Sequence, residues 1–125
     1  MVERLYERLA PVARSFGKCE MIFVDDGSSD GSFSVLTALQ SRDSNVCAVQ
    51  LSRNFGQHNA TLAGLSCALG EIIVTLDQDL QNPPEEIPRL LEKLSEGYDV
   101  VYGLAEARAH NVFRNLTSDF SKWIS

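Results

Sequence analysis

Basic residues are in short supply: 11 Lys and Arg stand against 17 Asp and Glu, a formal net charge of -6. A generic nucleic-acid surface has to be basic, so no nucleic-acid partner is expected. The same deficit disfavours simple electrostatic attraction to anionic lipid. Long apolar runs are absent too. None approaches the ~18–20 residues that span a bilayer, and no charged-then-apolar leader opens the chain. Cysteine is scarce, odd in number and widely spaced, at Cys19, Cys47 and Cys67. That excludes both a zinc pattern and a redox CxxC pair, and leaves reduced, mostly buried thiols in a reducing compartment as the expectation. The two histidines, His58 and His110, are too far apart in sequence to suggest a metal cluster. Repeats, low-complexity tracts and linkers are missing as well.

What is present describes an ordinary globular chain. At 125 residues, 44% apolar and 22% charged, it has enough material for one real core, and 1–125 is expected as a single domain. Residues 2–15, VERLYERLAPVARS, bring Leu5, Leu9, Val12 and Ala13 to one face of an amphipathic helix, with Pro11 expected to kink or break it. EMIFV (20–24) reads as a buried strand ending at Asp25. DDGSSDG follows as a loop in which Ser29 or Asp30 is positioned to cap a helix over 32–41. VCAVQL (46–51) is a second strand. SRNFGQHN is a loop leading to a small-residue helix near 58–69, closed by Gly70.

EIIVTL (71–76) reads as a third strand covered on both faces, and DVVYG (99–103) as a short fourth. Between them NPPEEIPRLLEKLSEGY has prolines at its start, acids in its first turn and Gly97 at its end, as a helix would. The alternation predicts an α/β fold with a mainly parallel sheet, in which ligands bind beyond the carboxyl ends of strands. Both acidic clusters, Asp25-Asp26 and Asp77-Asp79, fall at such ends.

Side chains two apart on an extended segment point the same way, so Asp77 and Asp79 can converge on one point. Converging carboxylates repel unless a cation or proton lies between them. An all-oxygen donor set favours a hard ion, Mg²⁺ or Mn²⁺, and Gln81 can add an amide oxygen. Capping of the turn before the NPP helix explains the same acids, and spacing alone leaves both readings open. Asp25 and Asp26 open a Gly- and Ser-rich loop. A carboxylate there can accept from a base N–H or ribose hydroxyls, while loop amides can approach phosphates. An Asx-turn with a helix cap is the structural alternative.

FVDDGSSDGS, LSRNFGQHNATLAGL and TLDQDLQNPPEEIPRLLEKLSEGYDVVYG together closely resemble the family 2 inverting glycosyltransferases of the polyprenyl-phosphate branch. That branch includes dolichyl-phosphate mannose synthases and undecaprenyl-phosphate sugar transferases. DLQNPPEEIPRL looks most like the undecaprenyl-phosphate 4-deoxy-4-formamidoarabinose transferases. The resemblance covers roughly residues 20 to 115.

It implies a Rossmann-like, three-layer nucleotide-diphosphosugar transferase fold. It also implies a nucleotide-diphosphosugar donor, UDP-sugar favoured, and a polyprenyl-phosphate acceptor. Asp25 and Asp26 match the acids that hold base and ribose. Asp77 and Asp79 match the metal-binding D-x-D, and Gln81 a glutamine that joins the metal. Asp79, Arg108 and Arg114 are the implied catalytic residues, the two arginines lying where basic residues of the family meet phosphate groups. Arg53 and Asn54 sit in a loop characteristic of the branch and are expected to be structural. The implied location is the cytoplasmic face of the membrane.

The chain departs from the family pattern in two places. Relatives usually open with a strand carrying a P-x-Y-N-E-like motif, whereas this chain goes straight into its first helix. In the family that strand lies between those ending at Asp25 and Asp77. The expectation is therefore a truncated product, a fragment, or a neighbouring copy supplying the strand, which would make a homo-oligomer. At the other end, NVFRNLTSDFSKWIS has Val112, Phe113, Leu116, Phe120 and Trp123 near one helical face, as an interfacial or core-packing helix would. The family's acceptor loop and membrane contacts normally lie beyond it. Two rival functions remain: a non-catalytic nucleotide-sugar-binding fragment, and a haloacid-dehalogenase-like phosphatase with Asp77 as nucleophile. Against the phosphatase, Leu80 follows the D-x-D and two strands precede it.

Overall fold

In the computed structural model, residues 2–77 and 83–103 are described. Within the span expected as one domain, the chain forms two compact units, Met1–Ile73 and Val74–Ser125.

The first unit begins with α1, Val2–Ser15. Its apolar residues recur at helical spacing, and Val2, Tyr6, Leu9, Ala10 and Ala13 all join the core. Pro11 does not break the helix, which is continuous through it. Proline removes only its own amide, whose partner would be the carbonyl of Glu7; both residues are exposed, so water can serve that carbonyl.

Strand β1 (Met21–Asp25) and strand β2 (Val46–Gln50) pair in parallel, Met21 opposite Val46 and Asp25 opposite Gln50. Helix α2, Ser32–Arg42, is the crossover that parallel pairing requires. Side chains alternate across the strands. Met21, Phe23, Val46 and Ala48 pack with Ala10, Ala13, Leu36 and Leu39 on one face. Ile22 and Val24 face α3, Gln57–Cys67, on the other. Helices on both faces of a parallel sheet make this a Rossmann-like three-layer α/β arrangement. The core is tightest at Leu39, 1% exposed. Gly64 lets α3 approach β1: a Cβ there would lie 3.2 Å from a Val24 methyl.

Several elements differ from the sequence expectation. Helix α3 stops at Cys67, not at Gly70, with Ala68 already extended. The amide of Leu69 is captured by Glu20 Oε2 at 2.7 Å, which draws the chain off the helical path. Gly31, left-handed at φ 86°, is the N-cap of α2, and Asp30 acts one residue earlier, its Oδ1 accepting from the Ser32 amide at 3.1 Å and hydroxyl at 2.6 Å. Cys67 is exposed rather than buried; Cys19 is half-buried, and burial pushes its thiol pKa up.

Residues 71–76 carry no strand, and Ile72 and Ile73 are 58% and 37% exposed. Residues 99–103 carry none either. Apolar β-formers provide extended propensity, but a strand exists only when a neighbour completes its ladder.

In the second unit, a 3₁₀ turn at Pro84–Glu86 leads into α4, Ile87–Leu94. Pro88 lies in the first turn of α4, where no helical amide partner is lost. Gly97, at φ 115°, follows its end, and Ile87 and Val101 are buried. Among the described residues no helix is long and apolar enough to cross a membrane.

Candidate functional site

The carboxyl end of β1 holds two adjacent aspartates with different surroundings. Asp25 is only 7% exposed. Its Oδ1 accepts from the Ser28 hydroxyl at 2.5 Å, while its buried Oδ2 accepts no hydrogen bond from the described residues. A buried carboxylate oxygen left without a donor is costly, and native structures rarely keep one without a use. An N–H or O–H brought in by a ligand would satisfy it.

Asp26 is occupied. Its Oδ1 accepts the Phe55 amide at 2.8 Å and its Oδ2 the Gly56 amide at 3.0 Å. Those amides lie at the entry to α3, on its cap residue Gly56 and on Phe55 just before it; the cap offers no side chain and the helix's first turn has no acid. The carboxylate thus neutralises the positive end of a helix from another element.

Behind this contact the two loops touch backbone to backbone. Gly27 is left-handed at φ 72°, and a Cβ on it would collide with the carbonyl carbon of Arg53 and stand 2.6 Å from the nitrogen of Asn54. Only glycine meets both demands. Asn54 Oδ1 also accepts the Gly56 amide at 3.0 Å, and Asn59 Nδ2 donates to the Phe55 carbonyl at 2.7 Å. The Arg53 guanidinium lies 4.8 Å from the Phe55 ring centroid. The structural role expected for Arg53 and Asn54 has this geometry behind it. Asp30, on the rim of the loop, is held below the usual carboxylate range by the Ser32 hydroxyl and then the Ser32 amide.

Of the other residues singled out in the sequence, Asp77 is described and exposed, in the second unit. Asp79, Gln81, Arg108, Arg114 and the segment 111–125 lie outside the described residues. Among those described, no group of three or more His, Cys, Asp or Glu gathers to hold a metal. The structure therefore brings Asp25, Asp26, Ser28 and the 53–56 loop together. The pairing of Asp26 with Phe55 and Gly56 had no signal in the sequence, because an aspartate that caps a distant helix reads like one that meets a ligand.

The family model for glycosyl transferase family 2 matches residues 2–123. The chain is 50% identical over 116 residues to an undecaprenyl-phosphate 4-deoxy-4-formamido-L-arabinose transferase of Pectobacterium carotovorum subsp. carotovorum (strain PC1), covering 91% of this chain and 36% of the relative. It is 54% identical over 100 residues to a protein of the same description from Klebsiella pneumoniae (strain 342), covering 79% of this chain and 31% of the relative. The chain thus spans about a third of the length of these curated relatives.

Proposed function

The chain belongs to glycosyl transferase family 2, and from that premise we propose that it forms the donor-binding part of an inverting transferase. The donor is a nucleotide-diphosphosugar, with UDP-sugar favoured, and the acceptor is a polyprenyl phosphate at the cytoplasmic face of a membrane. Two relatives described as undecaprenyl-phosphate 4-deoxy-4-formamido-L-arabinose transferases support that acceptor and a formamido-arabinose as the sugar. Membership of the family sets the phosphatase reading aside.

One observation carries the donor reading. Asp25 Oδ2 is buried, accepts no hydrogen bond from the described residues, and sits at the carboxyl end of a parallel strand. Nucleotides bind at such ends in open α/β sheets. A pyrimidine imide N–H or a ribose hydroxyl would satisfy that oxygen, and Ser28 holds the carboxylate in position from its other side.

Transfer leaves negative charge on the departing nucleotide diphosphate and positive character on the sugar. Mg²⁺ or Mn²⁺, held by Asp77, Asp79 and Gln81, would supply Lewis-acid stabilisation of that diphosphate. Arg108 and Arg114 serve to bring the anionic acceptor toward an anionic donor. An acceptor phosphate is already ionised at neutral pH and needs no strong general base, so attack from the face opposite the leaving group inverts the anomeric carbon.

Calorimetric titration of the chain with UDP and with GDP, each with and without Mn²⁺, tests the proposal. The expected result is metal-dependent binding of UDP that is lost in Asp79→Ala and weakened in Asp25→Ala. Absence of metal-dependent binding of either nucleotide would refute it. Donor binding without sugar transfer to polyprenyl phosphate would instead identify a non-catalytic binding unit.

A further inference from the structure

The geometry points to Asp26 as a positioning residue, one that locks the 53–56 loop to the Asp25 loop and so preorganises the donor site without touching the donor. The positioning role rests on the donor reading of Asp25 given above; the lock itself does not. Both Asp26 oxygens are committed to backbone amides, at 2.8 Å to Phe55 and 3.0 Å to Gly56. A carboxylate bridging two adjacent amides in this way, as a charge-assisted pair, fixes orientation as well as distance. Its position directly follows Asp25, so any shift of the Asp26 backbone also moves Asp25.

Three further contacts make the lock a unit rather than a lone pair of bonds. Gly27 meets the Arg53–Asn54 backbone with no room for a Cβ. Asn54 Oδ1 shares the Gly56 amide, and Asn59 ties the Phe55 carbonyl to α3. The amides of Phe55 and of the cap residue Gly56, just ahead of α3, are therefore spent on protein groups. The resemblance assigns Asp26 to the ribose or base. The hydrogen bonds assign it to the loop.

Amide hydrogen exchange by NMR, combined with UDP titration in Mn²⁺, separates these roles in the intact chain. In Asp26→Ala the Phe55 and Gly56 amides are expected to exchange about tenfold faster or more relative to the β1–β2 ladder amides, as the local opening free energy falls. The amides of residues 27–31 should accelerate with them. UDP affinity should weaken by about tenfold through lost preorganisation. Asp26→Asn, isosteric but able to accept only one of the two amides, should fall between Asp26→Ala and the native chain in both readouts. It also covers the case in which the alanine variant fails to fold. Leu39→Ala, which lowers global stability away from the loops, should speed the ladder amides while leaving the Phe55 and Gly56 rates near their native values.

Weakened UDP binding with unchanged Phe55 and Gly56 protection would mean that Asp26 meets the donor directly, overturning the proposal. Lost protection with unchanged UDP affinity would overturn the positioning role. If the native chain binds no nucleotide, the donor reading fails and the positioning role falls with it, while the exchange rates still decide the lock.

Discussion

The Tyr6 hydroxyl donates to Asp43 Oδ2 at 2.7 Å, tying α1 to the turn between α2 and β2. Arg14 reaches the same oxygen at 3.3 Å, and Asp43 Oδ1 accepts the Asn45 amide at 2.9 Å. The Asn45 amide first, and then the Tyr6 hydroxyl, hold Asp43 below the usual carboxylate range. The same bond raises the Tyr6 phenol above its ordinary value.

These two shifts set a pH dependence of stability. A depressed folded-state carboxylate contributes fully above its unfolded value and loses that contribution as pH falls through the folded one. The raised Tyr6 pKa contributes below the unfolded phenol value and is lost as pH rises through the folded one. Tyr6→Phe is expected to lower the thermal midpoint by a few degrees at neutral pH. It should also flatten the acid limb of the midpoint–pH curve, because Asp43 then loses one cause of its depression. Differential scanning calorimetry across acidic and alkaline pH checks both outcomes.

Gly27→Ala and Gly31→Ala form a matched pair. Both glycines are left-handed, at φ 72° and 86°, but only Gly27 meets other backbone within 4 Å. Gly31→Ala should cost about 1 kcal/mol from backbone strain alone. Gly27→Ala should cost roughly 2–4 kcal/mol, since the Arg53–Asn54 backbone must also move. Urea unfolding of the two variants isolates the loop contact as their difference.

At Gly64 the helix–strand spacing predicts a reversal with side-chain size. A Cβ 3.2 Å from the Val24 methyl is tight but yields to a small shift. Alanine also gains about 1 kcal/mol of helix propensity over glycine. Gly64→Ala should therefore be near neutral, whereas Gly64→Leu should cost about 1–3 kcal/mol by forcing α3 off β1. Chemical denaturation reads both.

Asp25 should separate stability from function. Its buried Oδ2 accepts no hydrogen bond from the described residues, so Asp25→Asn removes a buried charge while keeping the shape. The thermal midpoint should hold or rise, while UDP affinity falls about tenfold or more. A midpoint that drops sharply with affinity unchanged would make Asp25 a structural residue.

Much of the frame was legible along the chain. The periodicity of 2–15, the apolar runs at 20–24 and 46–51 and the Pro-Pro-Glu-Glu start before α4 all correspond to observed elements. The misplaced features depend on distant partners. Glu20 ends α3 by binding the Leu69 amide, 49 residues along the chain. The apolar stretch 71–76 has strand propensity without a strand. Pro11 stays helical because its side of α1 faces water.

By itself the sequence determined that two acids follow β1, that glycines surround them, and that an α/β frame holds them. It could not distinguish the acids, which are identical in type and adjacent. Tertiary structure decided that Asp25 is buried with one oxygen that accepts no hydrogen bond from the described residues, and that Asp26 is held by the amides of Phe55 and Gly56, 29 and 30 residues away. Neighbouring side chains at a strand end point in different directions, and what each meets comes from remote segments packed on either side of the sheet.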